Sequence, residues 1–168
     1  MSADVLRRLS AALHEKIPLT GFLGVEIDFF ERDRVVLRAP LGPSLNHRGT
    51  AFGPGVFAVA ALAPWLLLVR RAWTERMAAQ LLLRSSEFAI RRPIAAAYCA
   101  RCEWLPALDA EALCRNGKAR LSATSEVVFD DGAPAATYTA HFTVVGAAIS
   151  DGAAAGDLDL PFPEAWRS

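Results

Sequence analysis

A chain of 168 residues is long enough to bury a sizeable core and favours one domain over two. Hydrophobic residues make up 53% and charged residues 21%, and 18 basic side chains balance 18 acidic ones, so no global field draws the protein to nucleic acid or anionic lipid. A small or locally bound ligand fits that balance better.

Ser2 can cap a first helix over about residues 3–16, in which Leu6, Leu9, Leu13 and Ile17 recur at three- and four-residue spacing until Pro18 stops it. Phe22–Phe30 and Arg34–Leu41 are rich in valine, leucine, isoleucine and phenylalanine, with Glu31–Asp33 as a polar break, and read as a first hairpin. After the loop Gly42–Arg48 no charge occurs before Arg70, a run formally long enough to cross a bilayer. That run opens with Gly49, Gly53, Pro54 and Gly55, and its continuous apolar part, Val56–Val69, has the length of a buried core helix. A helix over about Gly53–Trp73 at the centre of the domain is therefore expected, not a membrane span, with a kink at Pro64.

Strand signals resume at Gln80–Ile90 and Ala95–Leu105, separated by the turn Arg91-Arg92-Pro93, and a short helix fits Asp109–Arg115 before Asn116-Gly117. The last pair alternates cleanly, with Leu121, Ala123, Ser125, Val127 and Phe129 on one face, then Ala136, Tyr138, Ala140, Phe142 and Val144, and Asp130-Asp131-Gly132 turning between them. Beyond Gly146 this periodicity ends, so the reading is one domain over residues 1–146 and a loosely ordered tail over 147–168. The element order makes the fold α+β, a curved antiparallel sheet around one long helix.

Cys99, Cys102 and Cys114 cannot all pair within one chain, and Met1–Arg8 carries Asp4 and two arginines with no apolar stretch behind them, so no secretion signal is read and the cytoplasm is the expected location. Cys99 and Cys102, three apart on a strand, point to opposite faces, and no second pair follows to complete a zinc site.

The segments LHEKIPLTGFLGVEI, NHRGTAFGPGVFAVAALAPW and SSEFAIRRP resemble the thioesterase-like hotdog domain (YiiD C-terminal-like) found at the C-terminus of certain bacterial GNAT acetyltransferases and also free-standing. The resemblance covers roughly Ala11–Val145, its most specific string is Asn46-His47-Arg48-Gly49-Thr50-Ala51-Phe52-Gly53, and no acetyltransferase part precedes it here. It implies a hotdog fold with the central helix inside the sheet, a homodimer or dimer of dimers, and ligand sites at the subunit interface near the helix start. It also implies hydrolysis of acyl-CoA or acyl-carrier-protein thioesters without a metal or any cofactor beyond the coenzyme A moiety of the substrate.

Thioester hydrolysis needs a polarised carbonyl, an activated water and a stabilised oxyanion. The start of the central helix presents unpaired N–H groups and a positive dipole end, and Gly53 and Gly55 allow close approach there. Pro54 stands where the family pattern has glycine, and removes an N–H, although proline is also a favoured first residue of a helix. Asn46 can orient water or substrate and His47 can titrate near neutral pH, whereas their structural alternatives are a turn-closing amide and a packed or capping imidazole. Glu87, in mid-strand, is a third catalytic candidate, or else an ion-pair partner of Arg84, Arg91 or Arg92. Thr50 and Phe52 beside the helix start, with Gly53, Pro54 and Gly55 in it, are candidate substrate contacts, and Phe57 and Ala61 would line an acyl tunnel. Arg91, Arg92, Arg70 and Arg71 are the cations available to coenzyme A phosphates.

Many hotdog thioesterases of another branch carry an acid about two turns into this helix, where Phe57-Ala58-Val59-Ala60-Ala61-Leu62 has none. That departure leaves water activated by His47, with or without Glu87, or a noncatalytic protein that binds acyl thioesters or acts as a scaffold. A hotdog dehydratase is a further alternative, weakened because it too would need the missing acid.

Overall fold

The computed structural model describes residues 1–75, 77–103, 106 and 109–148. The expected tail falls outside them except for Ala147 and Ala148, which end the last strand, and Leu105 falls outside as well. Helix α1, Ala3–Lys16, starts at Ser2 without a side-chain capping bond and buries Leu9 and Leu13. Two bonds tie it to the first strand and its lead-in: Ser10 Oγ accepts the Ile27 N–H at 2.9 Å, and His14 Nε2 lies 2.7 Å from the Val25 carbonyl oxygen. The first strand begins later than expected. Pro18 occupies the first turn of a second short helix, α2, Pro18–Phe22, and Gly24 at φ 64° turns the chain, so that β1 spans Glu26–Glu31.

β2, Arg34–Ala39, completes the hairpin, and a single 3-10 turn at Gly42–Ser44 leads towards the central helix α3, Gly53–Thr74. Then follow β3, Met77–Ile90; β4, Tyr98–Glu103; α4, Ala110–Asn116; β5, Lys118–Val128; and β6, Pro134–Ala148. Asp109 caps α4 by accepting the Ala112 N–H at 2.8 Å, and Gly117 ends it in the left-handed region at φ 64°. The strands form one six-stranded sheet in the order β1-β2-β4-β5-β6-β3, every pair antiparallel. β3 and β4 are thus not a hairpin. The connection through Arg91-Arg92-Pro93 carries the chain from the outer edge beside β6 to a slot between β2 and β5.

α3 lies against β2, β3, β4, β5 and β6, and Val56, Val59, Ala63 and Leu66 are fully buried there. Each of the two valines and the leucine contributes roughly 1.5–3 kcal/mol relative to exposure, and the alanine methyl less. The helix is long and apolar enough to span a membrane, with a mean hydropathy of 1.6 over its best window, but 50% of that window is buried inside the domain. It continues through Pro64, whose ring nitrogen has no hydrogen for the Ala60 carbonyl four residues earlier. Ser125 on β5 supplies the missing donor: its Oγ lies 2.7 Å from Ala60 O, and both residues are buried. A long helix held inside an antiparallel sheet is the hotdog architecture. Within a single chain, Phe57, Ala61, Trp65 and Val69 form a stripe on α3 that is only half-buried.

Candidate active site

Between β2 and α3 the chain doubles back on itself. Leu45 and Ala51 form an isolated antiparallel bridge, and the Asn46 N–H donates to the Thr50 carbonyl at 2.8 Å. Asn46–Gly49 closes as a tight turn through the Gly49 N–H and the Asn46 carbonyl at 3.1 Å, with Gly49 at φ 75°, where glycine carries no side-chain penalty. The Asn46 side chain is fully engaged inside this loop. Its Oδ1 accepts the backbone N–H of Arg48 at 2.8 Å and of Thr50 at 3.3 Å, and its Nδ2 donates to Thr50 Oγ1 at 3.0 Å and the Ala51 carbonyl at 3.3 Å. Asn46 therefore has the turn-closing role open to asparagine, with Thr50 as its partner. His47 sits exposed at the tip of the turn that Asn46 holds.

The first turn of α3 offers one free donor. The N–H groups of Gly55 and Val56 both donate to the Phe52 carbonyl, at 2.9 and 3.2 Å, and Pro54 has none, which leaves Gly53 N–H without an acceptor among the described residues. Gly55 serves packing instead, since a Cβ there would stand 3.0 Å from Ser44 Cβ. At Gly53 the nearest neighbour of such a Cβ is Ile90 Cδ1 at 3.5 Å, an ordinary contact. Phe52 is 57% exposed at the helix cap and Pro54 is exposed beside it.

Gly53 lines a cleft of about 500 Å³ together with Asn46, Arg48, Thr50, Arg91 and Arg92, with Ile90 and Ile94 as its apolar wall. The Ala51 N–H donates to the Ile94 carbonyl at 2.7 Å, and the N–H groups of Arg91 and Arg92 reach the Ala135 carbonyl at 2.8 and 3.3 Å, so backbone bonds fix both walls. The Arg92 guanidinium stacks 4.8 Å from the Phe129 ring centroid, and none of Arg48, Arg91 and Arg92 has an acidic partner among the described residues. Arg48 was not singled out from the sequence, although it is the cation inside the most specific string. Arg70 and Arg71 lie near the opposite end of α3, roughly 26 Å from Gly53 by helical rise. Arg71 is engaged there, donating to the Pro106 carbonyl at 2.5 Å.

The remaining candidates lie apart from the cleft. Phe57 points into the sheet, in edge-to-face contact with Phe88 at 5.7 Å and Tyr138 at 5.3 Å, and Ala61 follows one turn on. Glu87 pairs with Thr139, whose hydroxyl bonds Thr124 on the outer face of the sheet, while its neighbour Phe88 faces the helix; Glu87 is thus exposed on the side away from α3. None of Arg84, Arg91 and Arg92 forms an ion pair with it among the described residues. Cys99 and Cys102 are buried free thiols on opposite faces of β4, and burial pushes the Cys102 thiol up to about 12. Among the described residues no cluster of three histidine, cysteine, aspartate or glutamate side chains can hold a metal ion.

The model of the putative thioesterase (yiiD_Cterm) family matches residues 6–146. The chain belongs to that family. Its fold is similar to that of a putative thioesterase from Shewanella oneidensis, at 21% identity over 86% of this chain and 99% of the other, with a TM-score of 0.71. It is also similar to a probable thioesterase from Pseudomonas aeruginosa, at 22% identity over 87% and 97%, with a TM-score of 0.70. A third such structure is a thioesterase from Haemophilus influenzae, at 14% identity over 88% and 94%, with a TM-score of 0.65. In this family member, the segment between β2 and α3 and the connection after β3 bring Gly53 and three guanidiniums without an acidic partner among the described residues to one cleft, while the exposed His47 stands between Asn46 and Arg48 at the tip of the turn and outside the cleft's lining.

Proposed function

We propose that the protein hydrolyses acyl thioesters of coenzyme A or of an acyl carrier protein, at the cleft where α3 begins. The observation that carries this reading is Gly53, whose N–H is unpaired among the described residues at the positive end of a 22-residue helix and which lines a cleft edged by three arginines. The thioester oxygen accepts from Gly53 N–H, which strengthens its hold as negative charge develops on that oxygen. The phosphates of coenzyme A or of a phosphopantetheine arm lie against Arg48, Arg91 and Arg92. Water attacks the acyl carbon while His47 takes its proton; the tetrahedral intermediate then expels the thiolate, which recovers that proton from the imidazolium. Asn46 positions His47 by closing its turn, and the acyl chain extends along Phe57 and Ala61. Glu87, on the outer face, takes no part in this protomer's step.

A homodimer completes the reading. β3 pairs with β6 on one side only, and this 14-residue edge strand exposes Leu82, Leu83 and Ile90 at 49%, 47% and 46%. An uncovered apolar edge of this length invites pairing with another strand, and a second copy would also cover the half-buried stripe on α3. Light scattering should give the mass of a dimer, or of a dimer of dimers; a stable monomer at micromolar concentration would oppose it. Two buried free thiols suit a cytoplasmic protein.

A panel of acyl-CoA substrates with free-thiol detection tests the chemistry. Thiol release is expected, and His47→Ala should lower kcat by roughly two to four orders of magnitude with the fold intact. Acyl-CoA binding without thiol release from any member of the panel would instead support a noncatalytic binding role.

A further inference from the structure

A second cleft, of about 470 Å³, lies away from the helix start, where β5, β6 and β3 run side by side. Arg84, Ser85, Arg120, Ser122 and His141 line it, together with Pro106 and the core residues Leu121 and Phe142. Register explains the grouping. Ser122 pairs with His141 and His141 with Ser85, so the three form one row across the outer face, and Ser122 Oγ lies 2.7 Å from His141 Nδ1. The β3–β6 register slips between Leu83 and Ser85, so Arg84 is the extra residue of a bulge and reaches the same cleft as its neighbour Ser85. Arg120 precedes Ser122 by two residues on β5 and shares its face. Neighbouring strands are about 4.8 Å apart, so Arg84 and Arg120 stand on strands roughly 10 Å from each other, with His141 between them.

The arginines of this cleft differ from the others on the sheet. Arg34 pairs with Glu103 at 3.2 Å, Arg38 with Asp130 at 2.6 Å and Arg101 with Glu126 at 2.7 Å, whereas neither Arg84 nor Arg120 has a carboxylate partner among the described residues. Lys118, two residues before Arg120, adds a third cation on the same side of β5. The carboxylate that register brings nearest is Glu87, one row further along β3 beside Thr139, and it forms no ion pair with Arg84.

We propose that this outer-face cleft binds a phosphate dianion, with Arg84 and Arg120 as the charged clamp and His141, Ser122 and Ser85 as further donors. A tetrahedral dianion has acceptors in several directions and suits guanidiniums arriving from two different strands, whereas a carboxylate would satisfy one planar fork. The site is independent of the thioester cleft, which is built from other arginines. Free and esterified phosphate share this chemistry. Isothermal titration of the full chain with inorganic phosphate, and separately with phenyl phosphate at matched ionic strength, tells which source is preferred.

The expected result is saturable binding in the millimolar range or tighter, weakened about tenfold or more in Arg84→Ala/Arg120→Ala and unchanged in Arg7→Ala/Arg8→Ala, two exposed arginines of α1 outside both clefts. As a check that needs no variant, phosphate should shift the His141 ring resonances of the wild-type protein. Absence of binding by either phosphate, unchanged affinity in the Arg84/Arg120 variant, or unmoved His141 resonances under saturating phosphate would each overturn the proposal.

Discussion

Replacing Ser125 by alanine removes one hydroxyl and leaves the Ala60 carbonyl, in the middle of a buried helix, without the donor that stands 2.7 Å from it. The residue four positions on is Pro64, so the helix itself has no N–H to offer. A buried acceptor stripped of its partner costs about 1–3 kcal/mol, and in a protein of this length each kcal/mol moves Tm by roughly 2–4 °C, so Ser125→Ala should lower Tm by roughly 2–12 °C. The mechanism predicts more than a loss. In a Pro64→Ala background the new alanine has a backbone N–H that can bond Ala60 O, and the serine hydroxyl becomes largely redundant. Ser125→Ala should then cost about 1–2 kcal/mol less than it does in the wild type. Pro64→Ala alone gains that bond but leaves a small void where the buried ring was, which is why the cycle, and not either single variant, isolates the effect. Urea unfolding followed by tryptophan fluorescence suits the measurement, because Trp65 and Trp73 are on the same helix; protein concentration must be held fixed if subunits associate. Equal losses in the two backgrounds, or a wild-type loss below about 0.5 kcal/mol, would refute the reasoning.

Gly53→Ala and Gly55→Ala should separate site from scaffold: the first leaves Tm nearly unchanged but lowers turnover roughly 10²-fold by crowding the single oxyanion donor, and the second costs about 1–3 kcal/mol because its methyl meets Ser44, whose backbone is bonded on both sides. If both variants lose only stability, the oxyanion donor is elsewhere. Asn46→Ala should reduce kcat, and Asn46→Asp, which keeps the acceptor for the Arg48 and Thr50 amides, should recover part of the loss; equal damage from both would argue against a positioning role. Glu87→Gln should change neither stability nor turnover, and a tenfold fall in kcat would return the carboxylate to the mechanism. In the folded state burial holds the Cys102 thiol up to about 12, above the ordinary value of 9.0, and raises Cys99, Tyr98 and Tyr138 as well. A raised folded pKa gives stability that is complete below the unfolded pKa, so urea midpoints should hold up to about pH 9 and fall as pH climbs towards 12, and at pH 8 Cys102 should react with thiol reagents only on unfolding. Labelling of native Cys102 at the rate of a free thiol would contradict this.

Local pattern decides some elements of this chain and not others, and the division follows physical range. Val56–Val69 is apolar on all sides, so only a core helix can accommodate it, and the alternation at 121–127 and 136–144 fits one register with its small and aromatic residues buried. The reason for a serine among those buried residues is not local, because it answers a proline 61 positions earlier. Likewise, Asn46 has a turn-forming residue type, but only the folded loop reveals that both ends of its amide are engaged within it. The largest departure is the place of β3. Two adjacent strand signals with a proline turn between them suggest a hairpin, yet the chain leaves β3 at the far edge and crosses to enter β4 beside β2. That crossing is what builds the cleft. Ile90, the last residue of β3, comes within 3.5 Å of where a Gly53 Cβ would stand, and the connection then passes the helix start closely enough for Ile94 to bond Ala51, which carries Arg91 and Arg92 to the positive end of α3. Had β3 and β4 paired directly, a short turn would have held those two arginines between two strands, and Gly53 would be left with Arg48 alone. The candidate site is therefore a consequence of strand order, which no spacing within the Asn46–Gly55 segment encodes.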